Sequence, residues 1–137
     1  MKLHSEVFHS PNSRLHLIFL HGLLGQGSMF RFLMAGPQSN LIKEKFNCHL
    51  PDLRNHGRST WHDSMTYPLL AADLKSYLGQ IDDNSVILVG HSMGGKTAIT
   101  FACMYPHLVR GLISLDAPPV DRNNYPELNR STEYMMQ

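Results

Sequence analysis

The sequence predicts an α/β fold, a three-layer arrangement with a mostly parallel sheet and helices on both faces. Two observations predict it. Apolar runs of strand length alternate with segments whose apolar residues recur at helical spacing, the pattern of repeated strand–helix units. In addition, the main apolar runs are followed directly by His21, Asp52, Ser92 and Asp116. In a parallel sheet these positions fall beyond the C-terminal strand ends, where functional groups gather.

Residues 2–8 read as a short first strand. Leu15–Leu20 is a buried-strand run that stops at the glycine-punctuated loop His21-Gly22-Leu23-Leu24-Gly25-Gln26-Gly27. A helix is expected within 28–45, interrupted around Gly36-Pro37. Phe46–Leu50 reads as a strand ending at Pro51-Asp52, before the polar loop Arg54-Asn55-His56-Gly57-Arg58-Ser59. Residues 65–81 carry the clearest helical period, with Leu70, Leu74, Tyr77, Leu78 and Ile81 on one stripe. Thr66 can cap this helix and Pro68 is tolerated in its first turn. Val86–Val89 is a strand. Residues 96–105 form a helix whose Ala98 and Ala102 allow close packing on a sheet, and Pro106 ends it. Leu108–Leu115 is a further strand, closing at Asp116-Ala117-Pro118-Pro119, and the polar tail is expected to begin a helix near Pro126.

The chain has 137 residues, enough for one domain with a real core. Twelve basic against eleven acidic residues leave a formal charge of +1. No basic stripe supports nucleic-acid or membrane-surface binding. Nine histidines are scattered without metal-ligand spacing, so neither metal nor cofactor is expected. No apolar run is long enough to span a bilayer. The N-terminus lacks the pattern of a secretory or import signal, which points to the cytoplasm. Cys48 and Cys103 are expected to be buried, reduced thiols. Asn129-Arg130-Ser131 matches a glycosylation acceptor that stays idle without secretion.

Gly90-His91-Ser92-Met93-Gly94 lies between the strand and the helix that follows it. Strand, sharp turn and helix is the setting in which a G-x-S-x-G serine becomes a nucleophile. The turn is crowded, so glycine is required two residues either side of Ser92. The same stretch, through Gly95-Lys96-Thr97, also fits a phosphate loop, with Asp116 as a magnesium-assisting acid. Three points count against nucleotide binding. Two strand–helix units precede the motif, only one helix and one strand separate Thr97 from Asp116, and two upstream motifs make sense only with a serine nucleophile.

Those motifs are His21-Gly22 after a strand and Asp52-Leu-Arg54-Asn-His-Gly57-Arg-Ser59. Together with the serine motif, Gly95-Lys96 and Asp116-x-Pro-Pro119-Val120, they resemble the α/β-hydrolase superfamily. Within it they are similar to the esterase branch that contains α/β-hydrolase domain-containing protein 11. The resemblance covers nearly the whole chain, read as the N-terminal portion of such an enzyme. It implies a serine hydrolase acting on small-molecule esters or thioesters through an acyl-enzyme. Ser92 would be the nucleophile, with the backbone amides of Leu23 and Met93 as oxyanion hole. Asp116 matches one of two places where the branch puts its catalytic acid, the alternative being a plain strand-end residue. His21, Gly22, Asp52, Arg54, His91 and Gly94 would support the site, His91 at its rim, and Lys96 would brace the helix. Relatives are bacterial or mitochondrial, which makes the mitochondrion the alternative location.

One departure stands out. The family's catalytic histidine follows the last strand, but only His107 follows Ser92 here, beside Pro106. One incomplete domain is therefore expected over 1–137, lacking the last strands, with the start of a cap region at 121–137. The final strand would be an unpaired edge and the isolated chain marginally stable or aggregation-prone. A complementing C-terminal fragment is an expected partner. A catalytically inactive fragment or binding module is the alternative function.

Overall fold

The computed structural model describes residues 1–81 and 85–117. Five strands form one sheet: β1 (Ser5–Phe8), β2 (His16–Leu20), β3 (Asn47–Pro51), β4 (Val86–His91) and β5 (Val109–Leu115). Their spatial order is β1-β3-β2-β4-β5. β3, β2, β4 and β5 run parallel, while β1 pairs antiparallel with β3. The mostly parallel α/β arrangement expected from the sequence is therefore present. The tail and the Pro118-Pro119-Val120 stretch lie outside the described residues.

Period-two alternation divides the sheet's side chains between two cores. Ile18 and Leu20 of β2, with Val86 and Leu88 of β4, face one core. That core is closed by α3 (Tyr67–Leu78) and α4 (Met93–Met104) through Leu70, Leu74, Ala98 and Phe101. Leu17 and Phe19, with Cys48, Leu50 and Val89, face the other. A 3₁₀ turn at Gly27–Phe30, α1 (Phe32–Ala35) and α2 (Ser39–Lys43) cover this side through Phe30, Met34 and Ile42. The helical region between β2 and β3 is broken, as the Gly36-Pro37 pair predicts, with Gly36 extended.

The α3 boundaries follow from local chemistry. The Thr66 side chain accepts a hydrogen bond from the Leu69 N–H, and Pro68 occupies the first turn. α4 begins at Met93 rather than at the expected Lys96, because the turn out of β4 consumes a single residue. One expectation is overturned: Cys48 is buried but Cys103 is exposed. Cys103 lies on the face of α4 opposite Ala98 and Phe101, which pack on the sheet.

The chain leaves β2 for β3 on one side and later returns to β4 on the other side of β2. The segments that follow β2 and β4 depart toward opposite faces of the sheet. This reversal opens a crevice at the C-terminal ends of β2 and β4, the place where open α/β sheets bind ligands.

At the β1–β3 end, a buried polar chain joins the sheet to α3. His16 Nδ1 and His49 Nε2 are 2.8 Å apart, and His49 Nδ1 lies 2.6 Å from Tyr77 Oη. Burial, reinforced by His16 and His9, lowers the pKa of His49 to about 4. An unfolded histidine titrates near 6.5, so between these values the unfolded chain binds the extra proton. Stability contributed by neutral His49 is complete above about pH 6.5 and is lost as pH falls toward about 4. Urea midpoints measured across this window should fall with decreasing pH, and His49→Phe should flatten that slope.

Candidate active site

The crevice is lined by the segments after β2, β3, β4 and β5. Ser92 follows β4 with φ 51° and ψ −115°, a left-handed backbone conformation that costs a non-glycine residue on the order of 1–3 kcal/mol. Packing enforces it. A Cβ on Gly90 would collide with the Gly94 carbonyl, and a Cβ on Gly94 with the Leu20 carbonyl. The first turn of α4 thus lies directly on the end of β2, and only glycine permits that approach. The Ser92 N–H donates to the Leu115 carbonyl at 2.9 Å, tying the turn to β5.

Ser92 precedes α4 but makes no side-chain capping bond to it. The residue is half-buried at the crevice. The first intrahelical bond of α4 runs from Lys96 N–H to the Ser92 carbonyl. The amides of Met93, Gly94 and Gly95 therefore have no partner within the helix, as at any helix N-terminus. These donors and the positive end of the helix dipole flank the serine.

This geometry contradicts the phosphate-loop reading. Residues 93–97 are helical rather than a loop. The Thr97 hydroxyl, which would bind magnesium, is fully buried and donates to the Met93 carbonyl at 2.9 Å. Lys96 reaches over the Tyr67 ring, its Nζ 6.0 Å from the ring centre, in keeping with a brace between α4 and α3.

The segment after β2 approaches Ser92 closely. A Cβ built on Gly22 would stand 3.4 Å from Ser92 Cβ and 3.1 Å from His91 Nδ1. His91 is exposed at the edge of the crevice. Leu23 follows, partly exposed, and Leu24 has φ 63°. The Gly25 N–H closes a turn onto the Gly22 carbonyl at 3.0 Å.

Two histidines lock this segment to the loop after β3. The Leu53 N–H donates to His21 Nε2 at 2.9 Å, and the Leu24 N–H donates to His56 Nε2 at 3.1 Å. Each Nε2 is thus an acceptor, which leaves the proton on Nδ1. Accordingly, His21 Nδ1 donates to the Gly22 carbonyl and His56 Nδ1 to the Arg54 carbonyl, both at 2.8 Å. Burial pushes His21 below its ordinary pKa, which keeps it in the neutral form this geometry needs. The rings lie 5.0 Å apart.

Asp52 adds two further bonds, accepting from Gly27 N–H at 2.8 Å and from Arg58 N–H at 2.9 Å. Arg54 points away from the crevice into a buried pair. Its Nε and Nη2 donate to Asp73 of α3 at 2.7 and 2.9 Å, and Nη1 donates to the Ser64 carbonyl at 2.8 Å. His56 and Asp73 were missed as site-supporting residues in the sequence reading. Asp73 carries a signal there, a lone carboxylate between Leu70 and Leu74 on the apolar stripe. His56 carries none, because its partner is a backbone amide.

Asp116 follows β5 with φ 50° and is exposed among the described residues. His91 and Leu115 are register partners, so Ser92 and Asp116 leave neighbouring strands side by side. His107 sits in the 3₁₀ turn Pro106–Leu108 that enters β5, at the opposite end of the sheet from Ser92. Among the described residues no group of three or more His, Cys, Asp or Glu could hold a metal ion. None of their helices is long and apolar enough to cross a membrane.

A parallel-sheet sandwich with a strained serine between strand and helix is the arrangement of the α/β-hydrolase fold. Residues 16–135 match the model of the alpha/beta hydrolase fold, and the chain belongs to that family. It is 41% identical over 114 residues to an sn-1-specific diacylglycerol lipase ABHD11 of Xenopus laevis, covering 80% of this chain and 35% of the relative. A putative esterase/lipase of Haemophilus influenzae is 38% identical over 104 residues, with 76% and 34% covered. A solved marine microorganism esterase superposes with a TM-score of 0.82 at 34% identity, covering 98% of this chain and 49% of that one. The chain thus spans about a third of the length of these curated relatives.

Removing Asp73 would leave the Arg54 guanidinium buried without a counter-charge, an arrangement that costs about 3–5 kcal/mol. Asp73→Ala should lower unfolding stability by about that amount in urea titrations. Arg31→Ala, which breaks the exposed pair with Glu6, should leave it close to unchanged.

Proposed function

We propose that the chain carries the nucleophile and oxyanion hole of a serine hydrolase for carboxylic esters or thioesters. The observation that carries this reading is the strained, uncapped Ser92, set between the Gly22–Leu23 segment and the open N-terminus of α4. The names of the relatives, lipase and esterase, support the same substrate class.

In the proposed reaction, Ser92 Oγ bonds to the substrate carbonyl carbon while its proton passes to a base. The carbonyl π pair moves to oxygen, and the Leu23 and Met93 amides stabilise that charge. Collapse expels the alcohol or thiol, which takes up the proton. Water then adds to the acyl-enzyme and releases the acid. Asp116, beside Ser92 across the β4–β5 pair, is proposed as the acid that orients the base. Asp52 and Arg54 brace the loops, and His91 forms the rim.

The base is not among the described histidines. Both ring nitrogens of His21 and His56 are engaged by backbone groups, and His107 lies at the far end of the sheet. A complementing polypeptide that carries a histidine is the proposed source of the base. This gap also favours a second reading, in which the chain is a catalytically inactive binding module.

A fluorophosphonate probe, applied with imidazole in solution as a general base, separates the two. Covalent labelling that is lost in Ser92→Ala is expected for the hydrolase. A folded chain that stays unlabelled would establish the inactive reading.

A further inference from the structure

We infer that His56 is a positioning residue that selects which amide of the loop after β2 faces the reacting carbonyl. The inference rests on the serine-hydrolase reading above.

Three consecutive amides, Leu23, Leu24 and Gly25, lie in this loop. Gly25 N–H is used on the Gly22 carbonyl, and Leu24 N–H is used on His56 Nε2. Leu23 N–H is the amide of the peptide that joins it to Gly22, and Gly22 lies against Ser92. Without an acceptor at His56 Nε2, the Leu24 amide would be an unmet donor beside the crevice. The loop could then satisfy it by rotating the Leu23–Leu24 peptide. Leu24 is already at φ 63°, a conformation a branched aliphatic residue leaves readily unless it is held. The bond to His56 holds it.

The holder is itself held. His56 Nδ1–H donates to the Arg54 carbonyl, which fixes the tautomer with Nε2 as acceptor. Arg54 is anchored by Asp73 and Ser64. His21 makes the reverse contact, from the first loop to Leu53 of the second. The two loops therefore clasp each other through one imidazole apiece: His21 holds the Gly22 carbonyl at one end of the Leu23 segment, and His56 holds the Leu24 amide at the other. His56 touches neither the nucleophile nor the substrate in this scheme. It acts through the loop.

The experiment uses the full chain and two variants: His56→Phe, which keeps the ring and loses the acceptor, and His56→Gln, whose amide oxygen can stand near Nε2. The first readout is the rate of Ser92 labelling by a fluorophosphonate with imidazole as a common base. The rate should fall about 10-fold or more in His56→Phe, part of the loss seen when an oxyanion donor is removed. It should return to within about 3-fold of the parent in His56→Gln, and the concentration of probe giving half-maximal rate should hold steady. The second readout is amide hydrogen exchange by NMR in the unmodified protein, where Leu24 N–H should be protected and Leu23 N–H should exchange quickly. This keeps the test open if His56→Phe does not fold. Equal labelling rates in folded His56→Phe and the parent, or an unprotected Leu24 amide, would overturn the inference alone. A parent chain that is not labelled at all would remove the hydrolase reading and the inference with it.

Discussion

Everything at the crevice depends on one backbone crossing. The first turn of α4 rests on the final carbonyls of β2, at a separation that no side chain larger than hydrogen can share. Gly94 allows α4 to sit there, and Gly90 allows β4 to turn beneath it. Because the crossing is so close, the chain has one residue in which to reverse from strand to helix. That residue, Ser92, is forced to positive φ. Its position next to the loop after β2 is therefore a consequence of packing, not of any bond made by the serine itself.

The same economy appears in the loops. A functional crevice between diverging strands is lined by irregular backbone, and every buried amide there needs an acceptor. The chain supplies them from residues with their own partners: His21, His56 and Asp52, with Arg54 and Asp73 behind. The buried Arg54–Asp73 pair links the loop after β3 to α3. Order thus passes from helix packing through an ion pair and an imidazole to a peptide plane beside the serine.

Much of this was legible in the residues. The strands were visible as apolar runs, α3 as a stripe with a threonine cap, and the elbow as glycines spaced about a serine. The break near Gly36-Pro37 followed from proline chemistry. What escaped notice has a common cause. His56 and Asp73 act on groups distant in sequence, one a main-chain amide and the other an arginine 19 positions away, and such pairing leaves no periodic mark. The early start of α4 escaped because Gly94-Gly95 reads as loop by propensity, whereas tertiary packing makes it helix. Cys103 was misplaced because residue type was weighed above helical spacing, which sets it opposite Ala98 and Phe101 on the outer face of α4.

The contrast between the two cysteines has a practical consequence. Cys48 is enclosed in the sheet, and burial pushes its thiol up to about 11, which leaves very little thiolate at neutral pH. Cys103 lies in the open on the same helix that starts at the serine. A maleimide dye or spin label would therefore attach at one address, about three helical turns from Ser92, providing a reporter on the helix that begins at the serine without any engineered substitution.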